Sequence, residues 1–211
     1  MAKFGKTGVT SDTPKKILFG AGTIHKNVTY DESSHKWNFE NSIMGATQGG
    51  SKITITPEFA DIEADGAMVA VKGLKVKTGE TAEMEINFLE ITKDIIKSAI
   101  IGVDGTSKDT DYDLIESKAD VEDGDYLQNI AFVGKTLGGK NIIVIMDNAL
   151  CTSGLESNGE NKKEGVGTYT FACHADLDSD LDTLPYHIYY PKTLAKLERM
   201  VLNNGKSKGY K

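Results

Sequence analysis

Thr81-Ala-Glu-Met-Glu-Ile-Asn-Phe88 is the stretch from which the rest of the chain is read. Ala82, Met84, Ile86 and Phe88 fall on one side of an extended backbone, and Thr81, Glu83, Glu85 and Asn87 on the other. Successive side chains of a strand point to opposite faces, so this alternation predicts a strand with one buried and one polar face. The same period recurs at residues 16–19, 28–30, 36–39 and 51–56, the last with Ile53 and Ile55 inward. Residues 67–71 and 74–77 follow, separated at Gly73 by a tight turn or bulge. Further strands are expected at 127–133, 141–146, 167–173 and 186–190, with Leu137-Gly-Gly-Lys140 as a hairpin turn between two of them. The fold class is therefore mainly β.

One segment changes period. Ile91, Ile95, Ile96, Ala99 and Ile100 recur at helical spacing, with Thr92 placed to cap and Gly102 to stop, which predicts a helix at about 92–101. Leu194, Leu197, Met200 and Val201 suggest a second, short helix after Pro191, followed by a polar, mobile tail. The connections 102–125 and 151–165 exceed the usual loop length and read as functional segments that order on assembly.

The 211 residues suffice for one domain with a real hydrophobic core. Its longest apolar run, Ile142-Ile-Val-Ile-Met146, is strand-sized and far short of the roughly 18 residues of a membrane span. Met1-Ala-Lys-Phe-Gly-Lys6 has no hydrophobic stretch behind it, so a cytoplasmic site of synthesis is expected, with Cys151 and Cys173 reduced and unpaired. Acidic residues outnumber basic ones 31 to 24, a formal charge of -7, and no basic stripe precedes Lys206, Lys208 and Lys211. This argues against a surface that grips phosphates.

Chemical motifs fail one by one. Asp61-Ile-Glu-Ala-Asp-Gly66 begins like a calcium loop, but its twelfth position is Lys72, where a bidentate Glu is needed. Asp109, Asp111 and Asp113 alternate, yet Leu114 stands where the turn requires glycine. Gly5-Lys-Thr7 and Gly134-Lys-Thr136 lack the start of a phosphate loop. Cys173 and His174 are neighbours on a strand and so face opposite ways, while His25, His35 and His187 are scattered. No Gly-x-Ser-x-Gly elbow occurs. Neither a catalytic group, a metal set nor a cofactor site is expected.

What remains is an ordered series of segments. The run from Met44-Gly-Ala-Thr-Gln-Gly-Gly-Ser51 through Thr56-Pro-Glu-Phe-Ala-Asp-Ile-Glu-Ala-Asp-Gly66 resembles the opening of the major tail tube proteins of long-tailed bacteriophages and related prophage particles. Val71-Lys-Gly-Leu-Lys75, Ala82-Glu-Met-Glu-Ile-Asn-Phe-Leu-Glu90, Asp125-Tyr-Leu127, Asn148-Ala-Leu150, residues 165–173 and Tyr186-His-Ile-Tyr-Tyr-Pro191 are similar to the same family in order and spacing. The resemblance spans roughly residues 16–191. It implies a β-sandwich or partly closed barrel with one flanking helix, a flexible arm at 1–15 and an extension at 192–211.

It further implies a structural virion protein, assembled in the host cytoplasm as stacked hexameric rings whose sheets join edge to edge. Its partners would be further copies of the chain and the tail tip, tape-measure and tail terminator proteins, with no membrane insertion. DNA would pass through the lumen unbound. Glu83, Glu85 and Asn87 are then candidates for the lumen wall, although solvent or a charged interface accounts for them equally well. Asp104, Asp109, Asp111 and Asp113 are candidates for ring stacking. Two other readings stand beside it: the tube of a phage-tail-like bacteriocin or contractile particle, and a carbohydrate-binding β-sandwich adhesin. The latter would call for an exposed Trp and Tyr cluster. Trp37, with Phe39 two residues on, reads as core, and Tyr186, Tyr189 and Tyr190 as a rim or interface.

Overall fold

The computed structural model describes residues 8–156, 159, 161–179 and 181–192. Along them run α1 (Thr13–Lys16), β1 (Thr23–Lys26), β2 (Thr29–Asp31), β3 (Lys36–Asn38), β4 (Thr47–Asp61), β5 (Lys75–Phe88), α2 (Lys93–Ile100), β6 (Gly102–Gly105) and β7 (Leu114–Ser117). β8 (Leu127–Lys135), β9 (Asn141–Cys151), β10 (Gly167–Cys173) and β11 (Tyr186–Tyr189) complete the order. One antiparallel sheet of seven strands has the order β1-β8-β9-β10-β5-β4, with β11 added on β9. The sheet forks at β9, whose residues 143–146 pair with β11 and whose Ala149, Leu150 and Cys151 pair with β10. Hairpins β2–β3 and β6–β7 are separate two-stranded sheets.

The alternation in β5 sets the core. Met84, Ile86 and Phe88 have no exposed surface, and burying each such side chain contributes about 2 kcal/mol. They meet Ile24 of β1, Ile130 and Phe132 of β8, Val144 and Met146 of β9, and Tyr169 and Phe171 of β10 in one cluster. Strands at opposite ends of the sheet share this cluster, so the sheet curls around it, and Ile95 and Ala99 of α2 add to it. The end strands β1 and β4 do not pair with each other. The architecture is thus mainly β and sandwich-like, without a closed barrel.

The curl has a local cause. In β8 and β9 the core-facing positions change parity together, from Leu127 to Ile130 and Phe132, and from Val144 and Met146 to Ala149 and Cys151. The switch lies at Gln128 and Asn148, and Asn148 takes φ 47°, a left-handed conformation that Asn tolerates better than most residues. On the opposite face Val28, Ala131 and Ile145 form a smaller cluster, covered by Trp37 and Phe39. The reading of that aromatic pair as core holds in part: both are half-buried, packing on this cluster while Trp37 also borders a groove. Close approach fixes Gly22, where an added Cβ would lie 2.5 Å from the Phe132 ring at a backbone φ of +74°.

Several expectations need correction. Residues 16–19 form no strand: Lys16 ends α1, and Leu18 makes only an isolated bridge to Thr136. Residues 67–71 form no strand either, because β4 and β5 have already diverged there and leave no chain to pair with. Helix α2 is capped as expected, with the Ile95 amide donating to Thr92 Oγ1 at 3.3 Å, but its left-handed terminus is Ile101 at φ 52°, and Gly102 already begins β6. The connection 102–125 is not a loose loop but carries the β6–β7 hairpin and a 3-10 turn at Asp123–Asp125. Residues 1–7 of the arm and the helix expected around 194–201 lie outside the described residues.

Candidate assembly surface

The β4–β5 hairpin is longer than the core it serves. Its inner half carries Ile53 and Ile55 against the cluster, but all of residues 57–61 and 75–78 are exposed, so the two strands continue outward as an arm. Its tip leaves Phe59 56%, Ile62 54%, Met68 99% and Val69 78% exposed, although the Lys75 ammonium stands over the Phe59 ring at 5.9 Å. Lys75 closes the arm's base loop on Asp61 at 2.8 Å. That ion pair uses the first carboxylate of the calcium-like run, and the described residues hold no group of three or more His, Cys, Asp or Glu able to bind a metal. Along its outer edge β4 presents unpaired backbone through 15 residues.

Glu83, Glu85 and Asn87 stand on the face of β5 opposite the core. The register sets Glu85 between Lys52 and Thr170, and Glu83 between Thr54 and Ala172. Asn87 accepts from Thr168 Oγ1 at 2.7 Å and donates to the Gly50 carbonyl at 3.2 Å. This face is therefore a hydroxyl- and amide-rich surface with two carboxylates and one lysine.

The four aspartates do not act as one group. Asp104 of β6 bridges Lys93 at 3.1 Å and Lys97 at 2.9 Å, and Asp113 reaches Lys93 at 2.9 Å. Hydrogen bonds from these two lysines, ahead of simple charge attraction, hold the Asp104 carboxyl below the usual carboxylate range. Asp109 and Asp111 lie in the turn, where the Asp111 amide donates to Asp109 Oδ1 at 3.0 Å. Asp104 and Asp113 thus fasten the hairpin to α2, and only Asp109 and Asp111 point outward uncommitted to a cation.

A groove of about 550 Å³ lies between the β2–β3 hairpin, the start of β8, Asp147 and Asn148 within β9, and the segment from Asp176 to Pro185 that leads into β11. Trp37 stands edge-on between Tyr30 at 5.3 Å and Tyr189 at 5.9 Å. On the other side are Gln128, Asn148, Asp176 and Asp147, whose carboxylate pairs with His187 Nε2 at 3.3 Å. Burial raises the Asp147 carboxyl, with the His187 contact opposing. Cys173 and Cys151 are free and buried, and burial pushes the Cys173 thiol up to about 12, so it is protonated at neutral pH. His174 faces away from Cys173 towards Tyr126, as strand geometry requires.

Sequence reading missed the arm, because the apolar run at 67–71 has the composition of a strand. The signal was Asp65-Gly66, a turn placed before it, and Gly66 does take φ +87°.

No family model and no curated protein matches the chain. Among solved structures it is similar to a chain in the virion of a native gene transfer agent particle, at 13% identity, over 79% of this chain and 95% of that one, with a TM-score of 0.40. It is also similar to a chain in the tail of an empty gene transfer agent particle with C6 symmetry, at 10% identity, over 82% and 96%, with a TM-score of 0.41. At this distance the likeness transfers no property of those particles to this chain.

Proposed function

We propose that the protein is a structural subunit that polymerises through copies of itself into the tube of a phage tail, as stacked hexameric rings enclosing a channel for DNA. The observation that carries this is the β4–β5 arm. A 15-residue strand at the end of the sheet and a tip that leaves Met68 and Val69 largely exposed among the described residues are costly for a solitary molecule, since such edges and patches invite uncontrolled association. Assembly turns both into native contacts: the edge pairs with a neighbouring sheet, and the tip is buried on an adjacent copy.

The order and spacing of the segments between residues 16 and 191 favour this reading over an adhesin. The uncommitted Asp109 and Asp111 at the β6–β7 turn extend the contact between rings. Glu83, Glu85 and Asn87, on the face that neither α2 nor the β2–β3 hairpin covers, then line the lumen. A wall of hydroxyls and amides whose two carboxylates outnumber its one lysine displaces few counterions from a passing duplex and so does not retain it.

Negative-stain electron microscopy of the purified chain at rising concentration, with and without a tail-tip seed, tests the proposal. Hollow tubes or six-fold rings are the expected result. A folded chain that stays monomeric even when seeded overturns it.

A further inference from the structure

We propose that the groove beside Trp37 is a binding site for a neutral saccharide. The lining combines one aromatic wall with a set of unspent polar groups. Tyr30 and Trp37 give that wall, and Tyr189 backs Trp37 from the far side. The Gln128 amide and the Tyr30 hydroxyl make no side-chain hydrogen bond among the described residues. Asn148 spends its side-chain N–H on the His174 carbonyl at 3.3 Å, which leaves its oxygen to accept.

Charge then narrows the ligand. Asp147 and Asp176 line the groove and, among the described residues, no lysine or arginine does, so a phosphate, a nucleic acid or an acidic sugar meets net repulsion there. A neutral sugar suits the same lining: its hydroxyls donate to carboxylate and amide oxygens and accept from the Gln128 amide N–H and the Tyr30 hydroxyl. Its apolar C–H face covers the aromatic wall. The groove is open, and its volume of about 550 Å³ admits a few sugar rings lying against the aromatic wall. It lies across the sheet from the main core, behind the β2–β3 hairpin, and its existence does not depend on whether the chain forms tubes.

Trp37 is the one tryptophan in the sequence, so its fluorescence reports on the groove directly. The full chain is titrated with cellohexaose, maltohexaose and chitohexaose, with choline chloride and inorganic phosphate as charged probes. The expected result is a saturating change in Trp37 emission with at least one hexasaccharide, at millimolar concentration or below, and none with choline or phosphate. Tyr30→Ala and Gln128→Ala each weaken that response about ten-fold or more. The thermal midpoint is measured beside each variant, and Gln128→Ala, an exposed position, decides if Tyr30→Ala unfolds. Silence towards all three sugars overturns the proposal. So does a stronger response to choline, which would make the groove an ammonium cage. Emission that follows protein concentration and ignores sugar also overturns it, because a second copy then fills the groove.

Discussion

Asn129 shows how much a single buried amide can fix. Its side-chain oxygen accepts from the Val28 amide at 2.8 Å, and its Nδ2 donates to the Val28 carbonyl at 2.9 Å, copying a strand's own bonding across 101 residues of sequence. Asn129→Leu leaves both Val28 groups buried without partners and is expected to cost about 2–3 kcal/mol in urea unfolding. His25 is the second such residue. It is buried between Thr23 Oγ1 at 2.9 Å, Ser42 Oγ at 2.8 Å and the Phe39 ring, and among the described residues no carboxylate pairs with it. Burial lowers its pKa from the usual 6.5, so the folded chain resists a proton that the unfolded chain accepts. The stability tied to His25 is therefore complete above pH 6.5 and is lost as the pH falls below it. Unfolding free energies measured from pH 7.5 to 5 should fall less steeply for His25→Gln than for the native chain.

At the scale of elements, α2 and the β4–β5 arm make opposite predictions. Ile101 ends α2 in the left-handed region, where a β-branched side chain is strained, while its N–H bonds the Lys97 carbonyl. Ile101→Gly relieves that strain and should raise stability by roughly 1 kcal/mol, read from the denaturation midpoint. Met68 and Val69 at the arm tip contribute little to the fold of one chain, since both are largely exposed. The double variant Met68→Ser with Val69→Ser should leave the unfolding free energy within about 0.5 kcal/mol of the native chain, yet abolish tubes in micrographs. Loss of stability and assembly together would mean that the tip packs on its own chain.

For the whole molecule the decisive quantity is the sign of charge on the uncovered face of β5. Under the proposed function, Glu83→Lys with Glu85→Lys reverses it without touching the core, because Ala82, Met84, Ile86 and Phe88 point the other way. Tubes of this variant should still form, and double-stranded DNA should now co-sediment with them, less so as salt rises. If DNA stays in the supernatant while tubes form normally, that face lies outside the lumen. Ion pairs on α2 are a weaker lever: Lys93 and Lys97 meet Asp104 where solvent screens the attraction.

The sequence by itself determined the class of the fold and most of its strands, because burial on one face writes a period of two into residues such as Ala82 to Phe88 and Gly167 to Cys173. It also determined the start of α2, since Thr92 needs only its own neighbours to cap a helix. It did not determine that β4 and β5 run past the core, because an exposed strand and a buried one share backbone chemistry and differ only in what lies beside them. Met68 and Val69 carry the composition of an interior, and only tertiary structure puts them at an outer tip. The split among the four aspartates was hidden for the same reason: which of them meets Lys93 or Lys97 depends on how a hairpin folds onto a helix. The groove at Trp37 was equally out of reach, as it joins Tyr30, Gln128, Asp147 and Asp176 from separate parts of the chain, and spacing in sequence says nothing of such meetings.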